Sequence, residues 1–369
     1  MNRQHLRTIL GLALCLLIAM AVGCASEPTT SPKGSSAIAA TSVVPKTPSA
    51  TTSIAPSYLR IHETNRVISL EIALRRFAPP GRESPNIWLV GVTHIGEPQY
   101  YTQLQSFLAT QSLVLFEGVS PDSAKRGHAS PEEQSRLRQA ADQTLQGSMA
   151  RSLGLAFQLA SIDYSQSNFQ HCDLSLPEIQ ELMRAHPPKP VPAEKTATKK
   201  SSTKGNAEFN LLMQAMDNTS WLNQLLRALF GVLESSPRLQ ALSKLTMIRM
   251  MGGVGDELQA AGQASEGMGQ LMKVLLEARN EKVLTDLKAA MKTSRNGGGV
   301  AVFYGAGHMK DMASRLQSQL KYEMREEKWM QAFTVDLNVE GISGLEERMV
   351  DSLVAAQMRN LGLTPATKQ

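Results

Sequence analysis

The chain has 369 residues, a net charge of +5 and three cysteines. Such a length supports one large domain whose core needs no covalent staples. The basic excess does not signal nucleic acid: Arg3 and Arg7 belong to an N-terminal leader, and Lys189, Lys195, Lys199, Lys200 and Lys204 crowd a Pro-, Ser- and Thr-rich stretch without interleaved aromatics.

Arg3 and Arg7 precede an apolar run from Ile9 to Val22, and Ala21-Val22-Gly23-Cys24 sets small residues before a cysteine. The run is short for a membrane span, so residues 1–23 are expected to be a signal peptide. The residues before Cys24 resemble a bacterial lipobox, which implies cleavage there and lipidation of the Cys24 sulfur. The expected partner is then a membrane, reached through a lipid anchor and not a span. An ordinary secretory signal cut elsewhere is the alternative. Ala25 and Ser26 lack an acid resembling an inner-membrane retention signal, which favours the outer membrane of a Gram-negative cell envelope. With Cys15 removed and Cys24 modified, Cys172 is the one thiol left, which excludes an intramolecular disulfide. Residues 24–57 are dominated by Ser, Thr, Ala and Pro and read as a disordered tether.

The folded domain is expected over residues 58–350, with a C-terminal tail over 351–369. Val67-Ile68-Ser69-Leu70 and Ile87-Trp88-Leu89-Val90 read as strands on either side of Pro79-Pro80-Gly81. Past His94, Pro98 to Thr110 has helical spacing and Leu113 to Phe116 reads as a strand. Pro131 to Leu159 reads as one longer helical region opening on Ser130-Pro131-Glu132-Glu133, followed by a strand end at Ile162-Asp163-Tyr164. Residues 187–206 read as a flexible Lys/Pro insertion. Residues 207–290 form a Leu- and Met-rich helical region, broken near Met251-Gly252-Gly253. Its apolar stripes are expected to be core or inter-helix contacts, with a lid over a crevice as the alternative.

Two copies of a Gly-x-x-His motif organise the rest. Gly91-Val92-Thr93-His94 closes the run Ile87 to Val90, and Gly305-Ala306-Gly307-His308 closes Val300 to Tyr304. A helical segment follows each, and then an apolar run ending in an acid: Leu113 to Glu117, and Ala332 to Asp336. The chain therefore reads as an α/β fold, a mainly parallel central sheet flanked by helices. It would be built from two related strand–GxxH–helix–strand units, with a helical insertion. Residues just past the carboxyl ends of parallel strands line the ligand crevice of such sheets. Glycine lets the backbone approach a ligand, and a neutral imidazole is the commonest metal ligand near neutral pH. His94, His308 and Glu117 are thus candidate ligands of a divalent metal.

The blocks Trp88 to His94, Leu115-Phe116-Glu117-Gly118, Arg279-Asn280 and Val302 to Met309 resemble, in order, those of the TraB/GumN family, whose animal relatives are the TIKI metalloproteases. A wider group resembling it includes erythromycin-esterase-like and haem-binding ChaN-like proteins. The resemblance spans about Ile87 to Leu316 and implies a metal-dependent hydrolytic centre, with His94, Glu117 and His308 essential and manganese, cobalt or zinc as cofactor. Met309-Lys310-Asp311-Met312 departs from the family's usual turn after the second histidine.

Glu117 is expected to be a ligand or a general base, or else the partner of a basic group; Arg279 is that partner or an anion clamp for a carboxylate or oxyanion. His171 and Asp173, which alternate along an extended run, are further metal candidates or hydrogen-bonded loop anchors. Cys172 reads as a small buried side chain, and Asp336 as a possible counterpart of Glu117. The expected function is a metal-dependent hydrolase, a peptidase being the leading class, acting on a peptide or small molecule. A non-catalytic module holding haem, a metal or a peptide is the alternative.

Overall fold

A computed structural model describes residues 57–81, 85–118, 128–141, 144–185, 221–254, 266–293 and 299–360. The leader, Cys24, nearly all of the tether and the 187–206 insertion lie outside these residues. In chain order the elements are β1 (Leu59–Thr64), β2 (Val67–Ala78), β3 (Ile87–Val92), β4 (Ile95–Gly96), α1 (Pro98–Ala109), β5 (Leu113–Phe116), α2 (Pro131–Ala141), α3 (Leu145–Ser152), β6 (Ala156–Phe157), α4 (Gln158–Ser161) and β7 (Phe169–His171). They continue with α5 (Leu176–Ala185), α6 (Trp221–Glu234), α7 (Pro237–Val254), α8 (Glu266–Thr293), β8 (Val300–Gly305), α9 (Ala306–Leu320), β9 (Glu323–Asp336) and α10 (Gly344–Asn360).

The protein is α/β, with a mixed, mostly parallel seven-stranded sheet flanked by helices. Strands β3, β8, β5 and β7 lie side by side in that order and pair in parallel. The long β2 runs against them: β9 pairs along one edge, and β1 and then β3 share the other. Since all three partners of β2 are antiparallel to it, β9 and β1 point the same way as the parallel strands, and β2 alone is reversed. Every residue of β3 and of β8 is buried. Their unbroken apolar sequences are what a strand covered on both faces requires. Helix α9 packs on β3 and β8, and α7 lies over β1, β2 and β9.

Gly91 sits inside β3, not at its turn. A Cβ there would lie 3.1 Å from Ile72 Cγ2, 3.3 Å from the Ala73 carbonyl oxygen and 3.6 Å from Met309 Cγ. This glycine therefore serves close packing of α9 and β2 on the strand rather than approach of a ligand.

Three expectations need correction. Pro131 to Leu159 is not one helix: Thr144 caps a new one, its hydroxyl accepting from the Gly147 N–H at 2.9 Å. That helix stops at Gly154, whose φ of +65° brings the Gly154 N–H to the Arg151 carbonyl and the Leu155 N–H to the Ala150 carbonyl. Such a left-handed cap ends a helix whatever the hydrophobic spacing beyond it. Residues 162–164 form no strand; β7 comes later, at Phe169–His171. Finally, the domain does not end at residue 350, because α10 runs to Asn360 and buries Val350, Val354 and Met358 at intervals of one helical turn. Among the described residues no helix is long and apolar enough to cross a membrane.

Candidate functional site

The carboxyl ends of four adjacent parallel strands bring the singled-out residues together. His94 follows β3 by two residues, Glu117 follows β5 directly, His171 is the last residue of β7 with Asp173 two beyond, and His308 stands in the first turn of α9 after β8. Helix α8 adds Arg279 and Asn280.

Glu117 is held from three sides. Its backbone N–H extends the β5–β8 ladder to the Phe303 carbonyl at 3.2 Å. Its Oε2 accepts the Gly305 N–H at 2.7 Å, at the start of α9, where the helix dipole favours negative charge. Its Oε1 accepts from Arg279 Nη2 at 2.5 Å. The same guanidinium forks onto Asp173, with Nε to Oδ1 at 2.9 Å and Nη2 to Oδ2 at 2.6 Å. Asp173 also accepts the N–H groups of Gly118, at 3.1 Å, and Leu174, at 2.7 Å. Arg279 is thus a salt-bridge partner of both Glu117 and Asp173.

The His171 ring binds the Gly118 carbonyl through Nε2, which makes that nitrogen a donor, and stacks edge-on against Phe116 at 5.6 Å. His171 and Asp173 therefore fasten the loop after β5 to the strand beside it. Cys172 is buried, and its thiol donates to Asp286 Oδ2 at 3.2 Å. Burial and that carboxylate push the thiol far up, so it is inert as a nucleophile. Asp336 is absent from the site: it pairs with Val67 and accepts the N–H groups of Asn338 and Val339 in a turn well past the level of the β3 end.

The two GxxH histidines share one pattern. Nδ1 of His94 lies 2.8 Å from Gln158 Oε1, and Nδ1 of His308 lies 2.8 Å from Asn280 Oδ1. Nε2 of His308 is buried, has no hydrogen-bond partner and faces Glu117 Oε1 at 3.7 Å. Tyr304 stacks edge-on against that ring at 5.5 Å.

Compared with family models, curated proteins and solved structures, the chain matches none.

Electrostatics follow from the geometry. Burial works against the Glu117 charge, but Arg279 outweighs it and holds the carboxyl well below its usual range, helped by the Gly305 N–H; the two histidines add to this when protonated. Burial pulls His308 down to about 4 despite the attraction of Glu117, so the ring is neutral near pH 7. Burial also opposes the Arg279 charge, and Asp173 and Glu117 together overcome it. One guanidinium against two carboxylates leaves one negative charge in a buried setting, beside the buried, unpartnered Nε2 of His308. That donor set suits a cation. Among the described residues, however, no group of three or more His, Cys, Asp or Glu side chains is gathered closely enough to hold a metal.

Glu117, His94 and His308 were readable as polar residues closing apolar runs, and Arg279 and Asn280 through resemblance. Gln158 and Asp311 were not singled out. Asp311 had a faint signal, standing three residues after His308 on one helix; Gln158 had none, because its place beside His94 depends on the two-residue pairing of β4 with β6.

Proposed function

We propose that this chain is an exported, lipid-anchored, metal-dependent hydrolase of the TraB/GumN type, with peptides as the leading substrate class. The supporting observation is the buried, unpartnered Nε2 of His308 opposite the Glu117 carboxylate. In a folded protein such an atom needs a partner, and where the nitrogen is bare that partner is a proton donor or a cation.

His94, Glu117 and His308 are the residues this reading assigns to a divalent ion, manganese, cobalt or zinc, and holding it would require them to close in, since the described residues gather no three such side chains. Bound there, it would bring the pKa of a coordinated water from ~15.7 toward neutrality. The chain's own residues have separate tasks. Arg279 and the Gly305 N–H keep Glu117 ionised and pointed, and a carboxylate held so far below its usual range is a weak general base. Glu117 is accordingly assigned as ligand and fixed charge. Asp173 stabilises Arg279, and His171 fixes the loop that follows Glu117. We read the two GxxH segments as related units, since each delivers a histidine three residues after its glycine at the ends of neighbouring parallel strands. The helices between residues 221 and 293 would be an insertion that supplies the Arg279-Asn280 pair.

One observation favours the alternative of a non-catalytic module for haem, a metal or a peptide: both Glu117 oxygens already accept hydrogen bonds. Glu117→Gln separates the readings, because it keeps the size while removing the charge, at the cost of setting an amide NH2 against one of the two donors that Glu117 accepts from. In metal analysis combined with a peptide and ester screen, a ligand role predicts loss of metal affinity together with activity. Metal retained with turnover lowered about 10²–10⁴-fold would assign the base role instead. Full retention of both would overturn the hydrolytic centre.

A further inference from the structure

The two GxxH histidines come from different local structures, one between short strands and one inside a helix. Yet each presents Nδ1 to the oxygen of a primary amide at 2.8 Å. The amides are unrelated in sequence: Gln158 opens α4 and Asn280 lies within α8.

At His308 the chemistry leaves one arrangement. Asn280 Nδ2 donates to Asp311 Oδ2 at 2.8 Å and toward the His308 carbonyl at 3.4 Å. Both are pure acceptors, so the amide cannot be turned around, and its Oδ1 faces the ring. An amide oxygen accepts and never donates, so Nδ1 carries the proton and Nε2 keeps a lone pair. Asp311 is itself fixed by Arg315 Nε at 2.6 Å, and Arg315 reaches Glu281 at 2.5 Å. At His94 the buried Gln158 presents Oε1 to Nδ1 while its Nε2 lies 2.9 Å from the Tyr164 hydroxyl and its backbone N–H donates to the His94 carbonyl at 2.7 Å; a hydroxyl can donate or accept, so here the ring spectrum, not the neighbour, decides the amide's orientation.

We propose that Gln158 and Asn280 are positioning residues that hold His94 and His308 as Nδ1–H tautomers, leaving both Nε2 lone pairs free to bind a ligand. Neutral imidazole in water prefers the opposite tautomer, with the proton on Nε2, so the protein selects the less common form twice. An amide makes this selection without bringing a further negative charge to a site that already holds one. For His308, the line Arg315, Asp311, Asn280 then gives the departure from the family turn a purpose: Asp311 anchors the amide that orients the ring. The purpose assigned to these tautomers rests on the metal reading, but their existence is measured without metal.

The direct experiment is long-range 1H–15N correlation of the histidine rings in the full-length, 15N-labelled, chelator-treated protein, which distinguishes a protonated ring nitrogen from a bare one. Wild type is expected to show Nδ1–H with bare Nε2 at both His94 and His308. Asn280→Leu should move His308 alone to the Nε2–H form, and Gln158→Met should move His94 alone. Asn280→Asp and Gln158→Glu keep an acceptor oxygen and should retain Nδ1–H, which guards against an apolar variant that fails to fold. With Co2+ as probe, each apolar variant should bind about 10–100-fold more weakly, the usual effect of losing the group that orients a liganding histidine. Nε2–H rings in the wild type, or apolar variants with unchanged ring patterns, would overturn the proposal. The expected tautomers in a protein that binds no Co2+, Mn2+ or Zn2+ would sustain the positioning role and remove the metal reading.

Discussion

A guanidinium and two carboxylates are expensive to bury, and Arg279 with Glu117 and Asp173 is tolerable because the fork and the surrounding N–H groups satisfy nearly every lone pair. His308 contributes differently, by staying neutral. The unfolded chain takes up the imidazole proton near pH 6.5 and the folded chain not until about 4, so the native state binds fewer protons across that window. Stability is therefore complete above about 6.5 and falls as the pH drops toward 4, by on the order of 3 kcal/mol. Glu117 has the same sign at lower pH: its contribution is present above the ordinary carboxylate value and is lost as the pH falls toward its depressed one. Urea unfolding followed from pH 7 to 4 should show a shallower loss for His308→Gln than for wild type; parallel profiles would refute a neutral, buried His308. At this scale sequence reading found the residues that end apolar runs, because charge at the end of a strand is conspicuous. It did not find Gln158 behind His94, since a glutamine has no periodic signature and its role exists only in three dimensions; Asn280 was named through the resemblance alone, without its place behind His308.

Elements were legible where burial on both faces writes an unbroken apolar run, as in β3, β5 and β8. They were illegible where one or two backbone hydrogen bonds decide. The two-residue strands β4 and β6 are such a case, and so is the helix break set by the Thr144 cap and the left-handed Gly154. The glycines of the two motifs also proved unalike: Gly91 is mid-strand, opposite Tyr304, whereas Gly305 caps α9 and gives its N–H to Glu117. Gly91→Ala tests the packing role. The new methyl would press on the Ala73 carbonyl, which cannot rotate away, so a loss of about 1–3 kcal/mol is expected in chemical denaturation. A variant as stable as the parent would mean that β3 is not wedged between β2 and α9 as described.

For the whole molecule, α10 belongs to the domain because Arg249 on α7 reaches Glu63 of β1 at 3.0 Å and Glu347 and Asp351 of α10 at 3.5 and 3.2 Å. The helix opens on a Ser343-x-x-Glu346 capping box, the Ser343 N–H reaching Glu346 Oε2 at 2.9 Å and the Glu346 N–H reaching the Ser343 hydroxyl at 3.3 Å, so its start is set locally while its place in the domain is set by these long-range ion pairs. The proposed membrane anchor acts at the same scale. Cys24→Ser in the full chain should leave the protein folded by circular dichroism and shift it from the membrane to the soluble fraction. Intact mass of the wild-type N-terminus reads the modification directly, and an unlipidated Cys24 would end that proposal.

The lone reversed strand has a consequence for how the chain is made. Val67 of β2 pairs with Asp336 and Ala78 with Glu323, so one whole edge of a strand near the start of the domain waits for residues near its end. Long-range pairing of this kind raises contact order and slows folding. During synthesis the β1–β2 hairpin can form alone, but it offers an open backbone edge until some 250 further residues have emerged. A ribosome paused before Glu323 thus leaves a chain with its parallel strands written and its docking edge vacant, a ready template for another nascent copy. The sheet closes late, as a clasp and not as a seed.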